Sequence, residues 1–457
     1  MLRLASVVVF FVVALAGCRE RTREPVTLVL HDIGPWHNPE YAGWTQGALE
    51  GFTRETGVIV KRLPGPRESD EQLVFQRQLL EGGAAMPDVY VIDAIWPGVL
   101  GEHFLDLAPR LGTEVTQHFP VLVANNSVKG RLVAVPFHAN VGILVYRTDL
   151  LLEYGFEKPP ATWDELETMA LAIQNGERAK GRRDFWGYVW QGAPYEGLTC
   201  NALEWQASEG GGHILEHDGT VSVNNPGVIR AWGRAARWIG VLSPPEVVGY
   251  RELESENMWR TGNAAFLRSW PATHAASLAS PTIRGRFAVT LVPAGSEGRA
   301  VVLGENSLAV SRYSRHPDEA VALVRYLSRR DVQLGRSRTT SMAPTHPDIY
   351  DDPAVLQSNP YYPALKQVLL RGALSRPSAV SGPKYAEVSR AYFRAVHSVL
   401  TGEQTAANAV ASLERDLVWI TGFPVRAWEG SRSPAGRTTP RPAKTPPVRE
   451  ERSPSPR

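Results

Sequence analysis

An acidic and an aromatic side chain lie three residues apart in the stretch VIDAIWPG, residues 91–98. Asp93 follows a β-rich run, Trp96 comes next, and Pro97-Gly98 turns the chain. A carboxylate accepts hydrogen bonds from adjacent hydroxyl groups, and an indole covers the apolar face of a sugar ring. The pair therefore favours a polyhydroxylated ligand. The alternative is that Asp93 caps a helix and Trp96 packs in the core.

A second pattern, HILEH at residues 213–217, has the spacing of a zinc-protease motif. Such a site needs a helix, on which residues four apart share one face. Glycines precede the motif and Asp-Gly follows it, which predicts two strands joined by a turn. On a strand His213 and His217 would lie about 13 Å apart, too far for one metal ion. We therefore expect no metal site.

Strand and helix patterns alternate along the chain and place the acid of the first motif at a strand end. β-rich runs at 26–32, 58–63 and 87–93 are separated by helical patterns at 39–57 and 68–83. This order predicts an α/β fold with parallel, doubly wound sheets, in which ligands bind beyond the carboxyl ends of the strands. Further helices are predicted at 162–181, 226–242, 317–329, 385–402 and 406–422.

Size and charge narrow the class of protein. The chain has 457 residues, too many for one core, so two domains are expected. Its 49 Lys and Arg against 47 Asp and Glu give a net charge of +2, which argues against a nucleic-acid partner. Thirteen tryptophans suit either core packing or a site for an amphipathic small molecule.

Both ends of the chain are predicted to lie outside the folded body. Residues 1–17 combine a basic start, a short apolar run and small residues, typical of a signal peptide, and Leu15 to Cys18 resembles the bacterial lipobox. Lipid on Cys18 would anchor an exported protein to a bacterial membrane, in the periplasm or at the cell surface. Cys200 would then have no disulfide partner and is expected to be a buried thiol. Residues 430–457 are basic and rich in Pro and Ser, which predicts a disordered tail.

Four extended stretches carry a resemblance to a known family: YVIDAIWPGVL, AVPFHANVGILVYRTDLLLEYGFEKPPATWDEL, FWGYVWQGAPYEGL and SRPSAVSGPKYAEVSRAYFRAVHSVLTGE. They resemble the extracellular solute-binding lipoproteins of sugar ABC importers, of the trehalose/maltose-binding type, over about residues 26–426. The resemblance implies a two-lobed periplasmic-binding-protein fold, with a doubly wound sheet flanked by helices in each lobe and a ligand cleft between the lobes. It places the first lobe at 26–137 plus 265–330 and the second lobe at 138–264 plus 331–429.

The resemblance also implies which residues contact the sugar. One departure is that Glu305 and Asn306 stand where related chains often have Gly-Gly followed by an aromatic or small residue, so a polar pair is expected there instead of a stacking face. Arg376 matches a basic residue that faces the cleft, and Trp270 matches a Trp-Pro turn. The candidate ligand-binding residues are Glu68, Ser69, Asp93, Trp96, Asn140, Trp190, Tyr195, Glu196, Trp270 and Arg376.

The function implied is that of a membrane-tethered receptor that closes on a sugar, such as trehalose or maltose, and delivers it to an ABC permease. The expected partners are the sugar, the transmembrane subunits of the permease and a membrane, which is reached through the lipid on Cys18. No nucleic acid, cofactor or metal is expected, and the protein is expected to be a monomer. A secreted glycoside hydrolase is the main alternative, since Asp93 and Glu196 about 5–10 Å apart would suit hydrolysis. A surface lipoprotein without a ligand is the other.

Overall fold

The computed structural model describes residues 25–34, 39–66 and 68–426. The predicted signal peptide at 1–17, Cys18 and the predicted tail at 430–457 lie outside these residues. Among the helices of the described residues, none is long and apolar enough to cross a bilayer. The strands are β1 Thr27–Asp32, β2 Ile59–Pro64, β3 Val89–Asp93, β4 Ser127–Val128, β5 Arg131–Leu132, β6 Val135–His138, β7 Ile143–Arg147, β8 Trp186–Val189, β9 Ala264–Ser269, β10 Phe287–Leu291 and β11 Asn306–Val310.

Helices form where the periodicity predicts them, and local capping sets some of their ends. The Thr162 hydroxyl accepts a hydrogen bond from the Glu165 amide at 3.2 Å, which starts the helix that follows. The helices are α1 Pro39–Thr56, α2 Ser69–Glu81, α3 Trp96–Leu100, α4 Ala108–Leu111, α5 Pro120–Asn125, α6 Thr148–Glu153, α7 Trp163–Ala179, α8 Glu196–Ser208, α9 Pro226–Trp238, α10 Glu252–Arg260, α11 Ala272–Ala279, α12 Pro317–Ser328, α13 Arg330–Thr339, α14 Pro353–Ser358, α15 Tyr362–Arg371, α16 Ser378–Ser381, α17 Tyr385–Leu400 and α18 Ala406–Thr421.

The first lobe contains a five-stranded sheet in the order β2-β1-β3-β11-β6. β1 pairs in parallel with both β2 and β3, as the alternation of strands and helices predicts. β11 returns antiparallel to β3, with Leu308 opposite Val91. Apolar residues of these strands, such as Leu28 and Val89, are fully buried against α1 and α12. This packing fixes the carboxyl end of β3, where Asp93 emerges.

The second lobe contains a four-stranded sheet in the order β10-β7-β9-β8. β7 pairs antiparallel with β9 and with β10, and only β8 and β9 are parallel, so this sheet is mixed. The assignment of residues 265–330 to the first lobe is therefore wrong for β9 and β10. Their backbones are hydrogen-bonded to β7 of the second sheet, with Leu267 opposite Val145 and Val289 also opposite Val145.

Three segments of the chain run between the lobes, at residues 139–142, 302–305 and 340–346. They lie side by side and are joined by backbone hydrogen bonds. The Ala139 amide donates to the Ala343 carbonyl at 3.0 Å, and the Gly304 amide donates to the Asn140 carbonyl at 2.9 Å. Short, adjacent crossings of this kind let two rigid lobes rotate as a hinge.

The HILEH stretch has a different conformation from the one predicted. Residues 213–217 lie in turns and irregular backbone, and the Glu216 amide donates to the Thr220 carbonyl at 2.9 Å instead of pairing along a strand. The rings of His213 and His217 are consequently 5.0 Å apart, much closer than a strand would allow. The described residues nevertheless contain no group of three or more His, Cys, Asp or Glu side chains placed to hold a metal ion.

Candidate functional site

A cavity of about 550 Å³ lies between the two lobes. This volume falls within the roughly 300–1,000 Å³ range of small-molecule sites. The carboxyl end of β3, the first crossing segment and the N-terminal ends of α8 and α17 all reach its wall. Eight of the ten candidate residues line it: Ser69, Asp93, Trp96, Asn140, Tyr195, Glu196, Trp270 and Arg376.

The Arg376 guanidinium joins the two lobes at the floor of the cavity. Its Nη1 donates to Oε1 of Glu196 at 2.7 Å, and its Nη2 donates to Oδ1 of Asp93 at 3.2 Å. Asp93 belongs to the first lobe and Glu196 to the second. Burial acts to lower the pKa of Arg376, which is only 6% exposed, but the neighbouring negative charges outweigh burial and raise that pKa. Arg376 therefore stays charged between two carboxylates.

The two carboxylates have different surroundings. Glu196 begins α8, and it accepts hydrogen bonds from the Ser389 hydroxyl at 2.6 Å and from the Tyr385 hydroxyl. Asp93 also accepts from the Ile95 amide at 3.2 Å in the turn before α3, but Ile95 is the N-cap of that helix, so the alternative in which Asp93 caps it is wrong. Burial raises the pKa of Asp93, while the positive charge of Arg376 opposes the rise. Each carboxylate retains lone pairs that can accept ligand hydroxyls.

The Trp270 indole supplies an aromatic wall to the cavity. It follows β9 and is half-buried, with the guanidinium of Arg268 4.1 Å from its ring centre. Gly304 makes this position of the ring accessible, because a Cβ atom at that residue would lie 2.6 Å from the indole. The ring thus has packing behind it and an aromatic surface at the cavity, the arrangement that suits the C–H face of a sugar.

The crossing segments add amide groups to the wall. The buried Oδ1 atom of Asn140 has no hydrogen-bond partner among the described residues, and it lies at the cavity, so it is free to accept a ligand hydroxyl. The expected polar pair at 305–306 is half right. Asn306 lines the cavity, whereas Glu305 is fully buried and accepts from the side-chain amides of Asn125 and Asn126 at 3.1 and 2.8 Å.

A second contact between the lobes lies at the rim of the cavity. Nη1 of Arg251, in the second lobe, lies 2.7 Å from Oε2 of Glu68 and 3.5 Å from Oδ1 of Asp70, both in the first lobe. The same guanidinium lies 4.7 Å from the ring centre of Tyr195. The Tyr195 hydroxyl in turn donates to Glu252 at 2.5 Å. Glu68 therefore contacts the opposite lobe and is not part of the cavity wall, which corrects its prediction as a ligand contact.

Two predicted aromatic contacts require correction. Trp190 is fully buried, its ring lies 4.9 Å from that of Trp205, and its indole N–H donates to Ser243 at 3.1 Å. It is therefore a core residue of the second lobe. Trp96 reaches the wall but is only 1% exposed, so it offers no open face for stacking.

Several wall residues were absent from the sequence prediction. Tyr385 and Ser389 lie one helical turn apart at the start of α17, and both hold Glu196. That four-residue spacing at the beginning of an amphipathic helix was a usable signal. Cys200 is buried as expected, yet it also lies at the cavity wall, which no local pattern indicates. The remaining additions include Asp70, Arg77, Glu252 and Met342.

Comparison with known proteins identifies the family. The model of the bacterial extracellular solute-binding protein family matches residues 34–334. The chain belongs to this family. A protein of Deinococcus radiodurans described as a probable ABC transporter-binding protein is 44% identical to this solute-binding protein over 383 residues, which are 83% of this chain and 90% of that relative.

Solved structures share the fold of this solute-binding protein. Maltose-bound MalE3 of T. maritima has a TM-score of 0.79 and 31% identity, covering 86% of this chain and 100% of that one. A tagatose-bound solute-binding protein of Thermotoga lettingae has a TM-score of 0.77 and 22% identity, covering 87% and 100%. The predicted two-lobed α/β fold and the sugar ABC-importer family are thereby confirmed. Because this family binds solutes and does not convert them, the prediction that the chain is not an enzyme is also confirmed.

Proposed function

We propose that this solute-binding protein is the sugar receptor of an ABC importer and that its cavity takes a disaccharide such as maltose or trehalose. The observation that carries the proposal is the bridge from Asp93 through Arg376 to Glu196, next to the half-buried indole of Trp270. This combination of an aromatic wall with charged donors and acceptors suits a ligand that is apolar on its ring faces and polar around its edge.

Each polar group has a specific use in sugar recognition. The Arg376 guanidinium presents planar fork donors to two adjacent ring oxygens. The carboxylates of Asp93 and Glu196 accept from hydroxyls, and hydrogen bonds to charged groups contribute about 1.5–3 kcal/mol each. The free Oδ1 of Asn140 adds a neutral acceptor at the hinge. Maltose bound to the 31%-identical relative supports a glucose disaccharide as the first ligand to test.

Binding is expected to be coupled to closure of the two lobes. A sugar that contacts Asp93 in one lobe and Glu196 in the other binds the closed form better than the open form, so it shifts the hinge equilibrium towards closure. The ion pair of Arg251 with Glu68 also crosses the cleft and adds to the closed form without touching the sugar. A permease can then recognise the closed receptor, whichever sugar it holds.

The proposal includes anchoring of the mature protein through a lipid on Cys18. Its support is the sequence alone, in which a short apolar run and small residues precede that cysteine. A diacyl lipid on Cys18 would keep the receptor close to its permease. Mass spectrometry of the mature protein tests this directly: a lipidated N-terminal Cys18 is expected, and an unmodified N-terminus elsewhere would contradict it.

The experiment that tests the function is titration calorimetry with a panel of sugars. The panel contains maltose, trehalose, maltotriose, glucose and tagatose, with an inositol as a polyol control. At least one sugar is expected to bind with one-to-one stoichiometry, and overnight incubation is expected to leave it intact. Absence of binding to every sugar would refute the proposal, and release of glucose from a disaccharide would show a hydrolase instead.

A further inference from the structure

A groove of about 780 Å³ lies between α17 and α18 and adjoins the sugar cavity. The two share part of their walls, since Pro194, Arg390 and Phe393 line both. These three residues therefore lie between the cavity and the groove, which continues along the surface of the second lobe. Its α17 side runs from Glu387 to Ser398, about 16 Å at 1.5 Å per residue.

Four charged side chains of this groove have no partner within the part of the chain that the structure describes. Glu387, Arg390, Arg394 and Asp416 make no hydrogen bond or ion pair with any of residues 25–34, 39–66 or 68–426, although each lines the groove. By contrast, the exposed Arg325 on α12 is paired and lies 2.9 Å from Glu114. The groove thus presents both fork donors and carboxylate acceptors that remain available to an external ligand.

An exposed indole forms the far part of the groove. Trp419 on α18 is 84% exposed, whereas every other tryptophan within the described part of the chain is buried or half-buried. An open indole face beside charged groups resembles the inner cavity, whose wall also combines an indole, that of Trp270, with the charged side chains of Arg376 and Asp93. A protein interface would instead be depleted in charged residues at its centre.

We propose that this groove, lined by Glu387, Arg390, Arg394, Asp416 and Trp419, is an outer subsite for a linear oligosaccharide. The inner sugar units occupy the cavity, the chain passes between Pro194 and Phe393, and a later unit stacks on Trp419. The subsite rests on the proposed sugar-receptor function and extends its ligand class from disaccharides to longer chains. Disaccharides fill only the inner cavity and do not reach Trp419.

Calorimetry with maltose, maltotriose, maltotetraose and maltohexaose tests the subsite, using the wild-type protein and Trp419→Ala. The affinity of the wild type is expected to rise about threefold to tenfold between maltose and maltohexaose, since an aromatic contact contributes roughly 0.5–1.5 kcal/mol and 1.4 kcal/mol corresponds to tenfold. Trp419→Ala is expected to abolish that rise and to leave maltose affinity unchanged. Leu152→Ala, at a residue that is 79% exposed on α6 outside the groove, is the matched control and should behave as wild type.

The outcomes distinguish the subsite from the receptor function. The outer subsite would be overturned if the affinity of Trp419→Ala rose with oligosaccharide length as much as that of the wild type. It would also be overturned if the affinity of the wild type did not change with length. Both results would leave the receptor function intact. Arg394→Gln provides a second variant and is expected to weaken maltohexaose binding alone. Failure of the wild type to bind any of the four sugars would refute the maltose receptor and the subsite together.

Discussion

Replacement of Arg376 by alanine is expected to weaken sugar binding at least tenfold and to destabilise the protein by about 3 kcal/mol or more. The side chain is 6% exposed and makes ion pairs at 2.7 and 3.2 Å with Glu196 and Asp93. Removing one partner of a buried ion pair costs about 3–5 kcal/mol, because the remaining charge is left without compensation. Binding is a separate quantity: each hydrogen bond lost between Arg376 and the sugar weakens the free energy of binding by about 1.5–3 kcal/mol. Because 1.4 kcal/mol corresponds to a tenfold change in affinity, the loss of one such bond is enough for the expected effect.

Calorimetry gives the change in affinity, and urea unfolding gives the change in the free energy of unfolding. Arg325→Ala is the matched control, because its pair with Glu114 is exposed and worth about 1 kcal/mol or less. A triple variant, Arg376→Met with Asp93→Asn and Glu196→Gln, should recover most of the lost stability and none of the affinity. Arg376→Ala with wild-type affinity and wild-type stability would refute the assigned role of this residue.

Three other variants test separate features. Arg251→Gln is expected to weaken sugar binding about threefold with little change in stability, because its pairs with Glu68 and Asp70 are partly exposed and cross the cleft; unaltered affinity in calorimetry would argue against a contribution to closure. Burial raises the pKa of Glu305 well above its usual value. The folded state therefore keeps a proton that the unfolded chain loses near pH 4.3. Consequently the free energy of unfolding falls as the pH rises from about 4.3 towards the pKa of Glu305 in the folded state. Glu305→Gln should remove this fall. If urea unfolding shows the same pH dependence of the free energy of unfolding in variant and wild type between about pH 4 and 7, the prediction is contradicted. Trp190→Ala should cost about 3–5 kcal/mol of stability, whereas Trp270→Ala should reduce sugar binding with a smaller loss of stability; the reverse ranking in unfolding and binding assays would contradict their assignment to core and site.

The order of strands and helices in the first lobe was predictable because its signals are local. The alternation from β1 to β3 follows from short apolar runs, periodic helical segments and glycine stops, and the structure has the same elements within a few residues. The hydroxyl of Thr162 caps α7 as its sequence context indicates. The strand-end position of Asp93 was likewise predictable, since it depends only on where β3 stops.

Sheet membership was not predictable, because it depends on pairing between distant segments. β9 is buried at all six residues, so it has no alternating pattern that distinguishes one sheet from another. The resemblance places it in the first lobe, but its hydrogen bonds go to β7 of the second. The mixed order of the second sheet has the same origin.

Whether a side chain faces the cavity or the core was predictable only where the local backbone alone decides it. Trp190 and Trp270 both follow strands of the second lobe, yet one packs on Trp205 and the other on Arg268 at the cavity. The difference arises from three-dimensional neighbours, including the space left above Gly304. Glu305 points inward for a similar reason, since Asn125 and Asn126 from a distant segment donate hydrogen bonds to its Oε1 atom.

The most direct test of the central claim is a crystal structure of this protein with the best-binding sugar of the panel. The sugar is expected between the two lobes, with one ring on the Trp270 indole and hydroxyls within hydrogen-bond distance of Asp93, Glu196 or Arg376. A sugar bound outside this cleft, with the three charged groups in contact only with one another, would contradict the assignment of the site.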